Sequence, residues 1–560
     1  MTRYSIGVDF GTLSGRGVLV DVETGEIAAT SVLGYSHGVM SDRLRSGIAL
    51  PHDWALQHPR DYLEVLDVVI HDMLRTASAD PASVIALSID FTACTMLPLS
   101  DADVPLCFLD EFADNPHAYV KLWKHHSAQD LANRITEHAQ RRNEPWLTRY
   151  GDRVSSEWMF PKIWQTLREA PEVYESAAEF IEAGDWVIRY LTGARGRSSA
   201  LAGYKALWSA QDGMPGDDFW RGLDEGLVGV EGKLPGPYLD AGSLAGRLNE
   251  AGAELTGLSV GTAVAVANSD AYACAPAVGV TGPGTVVAIV GTSVCTLVMD
   301  PELHSVPGVS GAIDNGILPG YVGYEAGQAA VGDMLAWCVN EAVPASYTEE
   351  AARIGVDIHA YLQALAADYA PGGSGLIALD WWNGNRSVLV DGELSGTVVG
   401  YTLGTTAVDL YHALLESAAF GMRVVVDTLV DRGVMVNDLV ITGGISRKSP
   451  MLMQMYADVL GRTVRASLTP YGAALGAAIF GTVAAGDGGG GYDSIEDAVE
   501  AMASTDEQVY EPRAQAQEAY EKLYREFVTL HDYFGRGGND VMRRLRCVGI
   551  TEPTVAPLPK

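Results

Sequence analysis

The chain has 560 residues, too many for one ordinary domain, and 48% of them are hydrophobic against 19% charged, the balance of a soluble globular protein with a large core. Asp and Glu number 71 and Lys and Arg 38, a net charge of −33 that argues against a nucleic-acid partner, whose phosphates require basic patches. The six cysteines are scattered without a C-x-x-C pair, so neither a zinc site nor a disulfide framework is expected.

The N-terminus has no signal-like apolar segment and no apolar run reaches membrane-spanning length, which predicts a cytoplasmic protein with no membrane partner. The opening stretch IGVDFGTLSGRGVLVD, residues 6–21, runs from a strand through a Gly-rich tip into a second strand. A dinucleotide-binding turn would enter a helix instead. A third strand follows the turn at Gly25, giving an antiparallel meander. Residues 60–77 show helical apolar spacing, and 83–92 read as a short buried strand.

The pattern restarts near residue 262. TAVAVANSD is an apolar strand ending in polar residues, followed by a small-residue helix. GTVVAIVGTSVCTLVMD (284–300) then repeats the opening order of apolar strand, Gly-Thr-x-Ser type tip, apolar strand and Asp. Two such hairpins, each opening one half of the chain, predict a duplicated domain. Later come ITGGISRKSPMLMQMYADVLG (441–461), read as strand, Gly-Gly turn and helix, and a glycine-rich stretch 482–494, read as a flexible connection. Residues 519–534 place Tyr520, Leu523, Tyr524, Phe527 and Phe534 on one face of a docking helix. The Pro-rich tail 551–560 is expected to be disordered.

Turn N–H groups and hydroxyls are what phosphate oxygens need. At the first tip these come from Gly11, Thr12 and Ser14, with Arg16 adding charge. Asp9 belongs beside a phosphate only with Mg²⁺ between them. Gly291 and Thr292 supply the second tip, and Gly443 and Gly444 offer bare backbone on which a nucleoside can lie. Asp270, ending a strand and starting a helix, reads either as a helix cap or as a general base. Segments such as DFTACTMLPL, NPHAYVKLWKHH, AGYKALW, GYEAGQAAVGD and LDWWNGNRS combine aromatic faces with charged tips, which suits a polyhydroxylated ligand or a packed core.

The two hairpins and the Gly-Gly segment resemble the phosphate and adenosine motifs of the actin–hexokinase–Hsp70 ATPase superfamily. Within it, GTVVGYTLGTTAVDLYHALLESAAFGM (396–422) resembles the second signature of the FGGY carbohydrate kinases, with Tyr401 in place of an aliphatic residue. DFGTLSGR, DEFADNPHAYVKLWKHH, SSEWMFPKIWQ and the segments above resemble the branch of that family acting on the ketopentose L-ribulose, over nearly residues 4–535.

The resemblance implies an α/β fold of two ribonuclease-H-like (actin-like ATPase) domains around a deep cleft. Residues 1–265 would bind mainly sugar, 266–485 mainly ATP, and 486–560 would form a linker, docking helix and tail. It implies ATP-dependent phosphorylation of L-ribulose to L-ribulose 5-phosphate, with another pentulose or a pentitol as alternative substrate and a sugar-independent ATPase as a remote one. ATP and Mg²⁺ would be the cofactors, and a homodimer is compatible with it. Asp270 would be the base. Lys205 and Glu325 would bind the sugar, and the Ala93 backbone and Trp123 would line its pocket. Asp9 would sit near Mg²⁺. Gly11, Thr12, Ser14, Arg16, Gly291 and Thr292 would handle phosphates, and Gly443 and Gly444 would support adenosine. Tyr272 and Ser449 stand where His and Asn, respectively, are usual.

Overall fold

The structure, a computed structural model, describes residues 2–548; the expected disordered tail lies outside the described residues. Among them, two seven-stranded sheets carry the architecture. In the first, strands Tyr4–Phe10, Ser14–Asp21 and Ile27–Gly34 form the meander foreseen from sequence. Val84–Phe91 then pairs parallel to the first strand, Ala263–Ala265 parallel to that, and Leu244–Arg247 closes the edge antiparallel. The second sheet repeats this order. Thr285–Val290, Val294–Asp300 and Val322–Gln328 make its meander, Asp438–Thr442 and Val464–Ser467 follow in parallel, and Glu507–Tyr510 closes the edge antiparallel. The duplication suggested by two short hairpins therefore extends through six strand positions of each sheet.

Helix Arg60–Ala77 buries Tyr62, Val65, Leu66, Val69, Ile70 and Met73 against the first meander, the face set by its 3.6-residue periodicity. It lies close because Gly15 and Gly17 have no side chains: a Cβ on either would overlap Val65, Val69 or Met73. These two glycines of the opening stretch serve packing, and only Gly11 at the tip is free of it.

Two features depart from the reading in chain order. Helix Gly472–Ala485 follows the second sheet in sequence but packs on the first, where Ser5 Oγ donates to the Ala478 carbonyl at 2.7 Å. Its Gly476 lies against the Ala273 carbonyl of helix Asp270–Ala277, and Gly7 of the first strand lies against its Ala474 carbonyl. The stretch 482–494 is folded, not flexible. Gly491 N–H donates to Gly486 O at 2.8 Å, Tyr492 N–H to Thr482 O at 3.1 Å, and Tyr492 Oη to Val22 O at 2.8 Å. Its glycines permit a tight return of the chain, with Gly486 and Gly490 at positive φ. The edge strand Glu507–Tyr510 also places part of the second sheet beyond residue 485.

Helix Ala514–Gly535 docks as its periodicity predicts. Tyr520, Tyr524 and Phe527 are buried around Phe420 of helix Ala407–Asp431, with ring centroids 6.0, 6.1 and 5.3 Å away.

The glycine contacts yield a stability test. Gly476→Val forces a branched side chain into the Ala273 backbone and should cost more than about 3 kcal/mol. Gly34→Ala, at a site with no neighbour within 4 Å, should leave thermal unfolding nearly unchanged.

Candidate active site

Each hairpin tip is closed by a bond from its glycine N–H to a serine carbonyl, the first tip one residue longer than the second. Gly11 N–H donates to Ser14 O at 3.0 Å, and Gly291 N–H donates to Ser293 O at 2.9 Å. The first tip is fixed from outside: Tyr35 Oη donates to Gly11 O at 2.8 Å and Gln57 Nε2 to Thr12 O at 2.8 Å. Gln57 is held in turn by Tyr62 Oη at 2.6 Å. The second tip is capped by the start of helix Val331–Trp337, whose Gly332 N–H donates to Thr292 O at 2.9 Å. A Cβ at Gly11 or Gly291 would meet nothing closer than 3.4 Å, so packing does not require glycine at either position.

Three aspartates converge beside the first tip. Asp9 and Asp90 are register partners on parallel strands, and both are buried. Arg16 Nε lies 3.3 Å from Asp9 Oδ2. Burial raises the Asp9 carboxyl against the pull of Arg16. Asp90 has no hydrogen-bond donor on either oxygen, and burial, Asp9 and Asp270 push its carboxyl well up. Sequence reading quoted Asp90 without assigning it a role. The available signal was a lone acid inside an apolar strand, which is costly unless something pairs with it.

Asp270 is not the cap of its helix. Its Oδ1 accepts from the N–H of adjacent Ala271 at 2.7 Å and from Ser269 Oγ at 3.2 Å, and Oδ2 has no hydrogen bond among the described residues. Burial and then the charge of Asp9 raise its pKa to about 7. A carboxyl so tuned exchanges a proton near neutral pH.

Lys205 and Glu325 form a buried ion pair. Lys205 ends helix Ser199–Lys205, and its Nζ lies 3.3 Å from both oxygens of Glu325 on strand Val322–Gln328; both side chains are buried. Glu325 also accepts from Tyr272 Oη at 2.5 Å and from Arg386 at 3.2 Å. Burial alone would raise this carboxyl, but Lys205 and Arg386 outweigh it and hold it low. Tyr272, in place of the usual His, thus donates to the Glu325 carboxylate while its ring packs 4.6 Å from that of Tyr204. Arg386 was not singled out from sequence, because its partner lies 61 positions away.

Trp123 links the two parts of the site: its Nε1 donates to Thr12 Oγ1 at 3.1 Å. The Gly-Gly pair divides into two roles. Gly443 has φ +105° and its Cβ would crowd Val290 O at 2.5 Å, so backbone geometry demands glycine there. Gly444 has no neighbour within 4 Å and leaves open space. Ser449 is buried, caps helix Pro450–Leu460 through Leu452 N–H at 3.3 Å, and donates to Gln363 at 2.8 Å. It has no hydroxyl proton left for a ligand.

The model of the FGGY family of carbohydrate kinases, C-terminal domain, matches residues 286–485. A ribulokinase of Halalkalibacterium halodurans is 49% identical over 98% of each chain, and one of Geobacillus thermodenitrificans is 50% identical over 97% of each. The chain belongs to the FGGY family of carbohydrate kinases. The fold agrees: the crystal structure of a xylulose kinase from Rhodospirillum rubrum superposes with a TM-score of 0.75 at 24% identity, covering 94% of this chain and 98% of that one. This FGGY kinase therefore has the two-domain actin-like ATPase fold.

The short bond to Glu325 sets a measurable role for Tyr272. Tyr272→Phe removes the donor and leaves a buried carboxylate short of one partner, which should destabilise the protein by about 1–3 kcal/mol in denaturant melts.

Proposed function

We propose that the protein transfers the γ-phosphoryl group of ATP to the 5-hydroxyl of L-ribulose, giving L-ribulose 5-phosphate. The reaction type rests on one observation: Asp270, a carboxyl with a pKa of about 7 and an unoccupied oxygen, stands beside the phosphate-type hairpin of a sugar-kinase fold. The sugar assignment rests on near-half identity to two ribulokinases along almost the whole chain.

In this reading Asp270 accepts the proton of the hydroxyl as its oxygen attacks phosphorus. Lys205 and Glu325 bind sugar hydroxyls, a donor and an acceptor held in opposition by their own ion pair. Trp123 and the Ala93 backbone line the sugar, and the Trp123–Thr12 bond ties that wall to the phosphate tip. Gly11, Thr12, Ser14 and Arg16, with Gly291 and Thr292 opposite, position the phosphates; Gly443 and Gly444 lie under adenosine.

The residues present fit Mg²⁺. Asp9 and Asp90 offer buried carboxylate oxygens, those of Asp90 without a donor. That is the modest donor set of an ion that keeps waters and shares phosphate oxygens. Bound there, Mg²⁺ would neutralise charge on the phosphates.

The reading keeps 1–265 as mainly sugar-binding, 266–485 as mainly ATP-binding and 486–560 as the appended segment, with the exchanges of helix 472–485 and strand 507–510 noted above. It includes a cytoplasmic location and a homodimer, for which sedimentation is the test.

Coupled ADP release across a panel of pentuloses and pentitols tests the substrate; kcat/KM for D-xylulose more than about tenfold above L-ribulose would overturn it. Asp270→Asn should lower kcat by about 10²–10⁴. The base works ionised, so wild-type kcat/KM should fall as pH drops below about 7. Because the folded pKa is raised, the proton's stabilisation is complete at low pH and lost as pH rises through about 7. Asp270→Asn should therefore melt higher than wild type at pH 8, and the gap should narrow as pH falls below about 7 and close only near pH 4, the ordinary carboxyl range. Gly444→Ala should raise KM for ATP at unchanged melting temperature, whereas Gly443→Ala should lower the melting temperature as well.

A further inference from the structure

Two buried side chains outside the site grip one peptide unit. The peptide joining Cys94 to Thr95 follows Ala93 in the turn between strands Val84–Phe91 and Met96–Leu99. Lys162 Nζ donates to its carbonyl, Cys94 O, at 2.8 Å. Glu182 Oε2 accepts from its N–H, that of Thr95, at 2.9 Å. The donor sits at the negative end of the peptide dipole and the acceptor at the positive end, so both interactions favour the same orientation of the plane. Rotating the peptide would lose both at once. Thr95 Oγ1 closes the turn by donating to Thr92 O at 2.6 Å.

Lys162 has a second acceptor, Leu122 O at 2.9 Å. Leu122 precedes Trp123 as Cys94 follows Ala93, so one amine ties together the two segments that present Ala93 and Trp123. Lys162 is 0% exposed on helix Met159–Glu169, and no carboxylate lies within ion-pair distance of it among the described residues. Carrying an amine into the core is costly, and here its hydrogen bonds are spent on two loop carbonyls rather than on a countercharge. Lys121 provides a contrast in the same core. It is equally buried, but its Nζ is committed to His117, Lys162 O, Gln165 and Thr166, and touches neither loop carbonyl.

We propose that Lys162 and Glu182 are positioning residues that fix the contour presented by Ala93 and Trp123, and thereby set which ketose the pocket accepts. This rests on the reading of Ala93 and Trp123 as the sugar-lining wall. Neither residue touches the reacting atoms; both act through the backbone they hold.

The test is steady-state kinetics on Lys162→Met, Glu182→Gln, Lys121→Met and Trp123→Ala with the pentulose panel, with melting temperatures measured in parallel. Lys162→Met should raise KM for L-ribulose by about tenfold or more, the effect of losing one or two hydrogen bonds that hold the wall. KM for ATP should stay unchanged and kcat within about threefold, with the kcat/KM ratios among pentuloses altered. Glu182→Gln replaces the carboxylate by a weaker neutral acceptor of nearly the same shape, so it should show the same changes at smaller size. Lys121→Met should lose melting temperature without the KM change. If Lys162→Met does not fold, Glu182→Gln decides alone. Unchanged sugar KM and panel ratios in the clamp variants, with a raised KM in Trp123→Ala, would overturn the clamp and leave the pocket standing. Unchanged sugar KM in Trp123→Ala would refute the pocket assignment itself and the clamp with it.

Discussion

Glu325 is a carboxylate carried into the interior, and three cationic or donor groups from distant parts of the chain keep it ionised there: Lys205, Tyr272 and Arg386. A buried ion pair of this kind is weak testimony to stability, but removing one partner from it is expensive, about 3–5 kcal/mol. Lys205 belongs to the half of the chain that builds the first sheet, whereas Glu325 sits on a strand of the second. The pair therefore links the half that builds the first sheet to the half that builds the second, through a buried donor and a buried acceptor. Tyr272 lies two residues into the helix that Asp270 begins, so its bond to Glu325 ties that carboxylate to the helix carrying Asp270.

Their electrostatics are opposed. Glu325 is held low by neighbouring cations, while Asp270 is raised by burial and by Asp9. Two carboxyl groups in one site thus take different work, one permanently charged and one poised to exchange a proton. Asp90 is a third carboxyl there, pushed well up by burial and its acidic neighbours and left without a protein donor, and such a crowding of acids makes sense where a cation accompanies the phosphates.

Much of this was legible from the sequence because it is written locally. Apolar strands around a Gly-Thr tip predicted both hairpins, and helical spacing predicted Arg60–Ala77 and the face of Ala514–Gly535. The candidate residues Lys205, Glu325, Trp123 and Thr12 were nameable from the family likeness, and contacts pair them as Lys205 with Glu325 and Trp123 with Thr12. What failed was non-local. Glycines at 486–491 have the composition of a linker, but their freedom is used to turn the chain against Thr482 and Val22. Arg386 looks like an ordinary charged residue until the fold brings Glu325 beside it, and Asp90, though an odd acid in an apolar strand, gains a register partner only when Asp9 is placed alongside. The seating of Gly472–Ala485 on the wrong sheet has no local signature, since an all-round apolar helix fits any buried slot.

That helix has a consequence for how the chain is made. Val18 and Val20 of the first hairpin are covered by Ala474, Leu475, Ala478 and Ile479, and by Val499 and Met502 further on. When a ribosome has delivered the first sheet, the segment that covers it is still roughly 200 residues away, about 10–40 s at ordinary elongation rates. During that interval an apolar sheet face stands open to solvent. The N-terminal half is thus not an independent folding unit: its completion is vectorially delayed, and a nascent-chain chaperone has a defined window and a defined surface to protect.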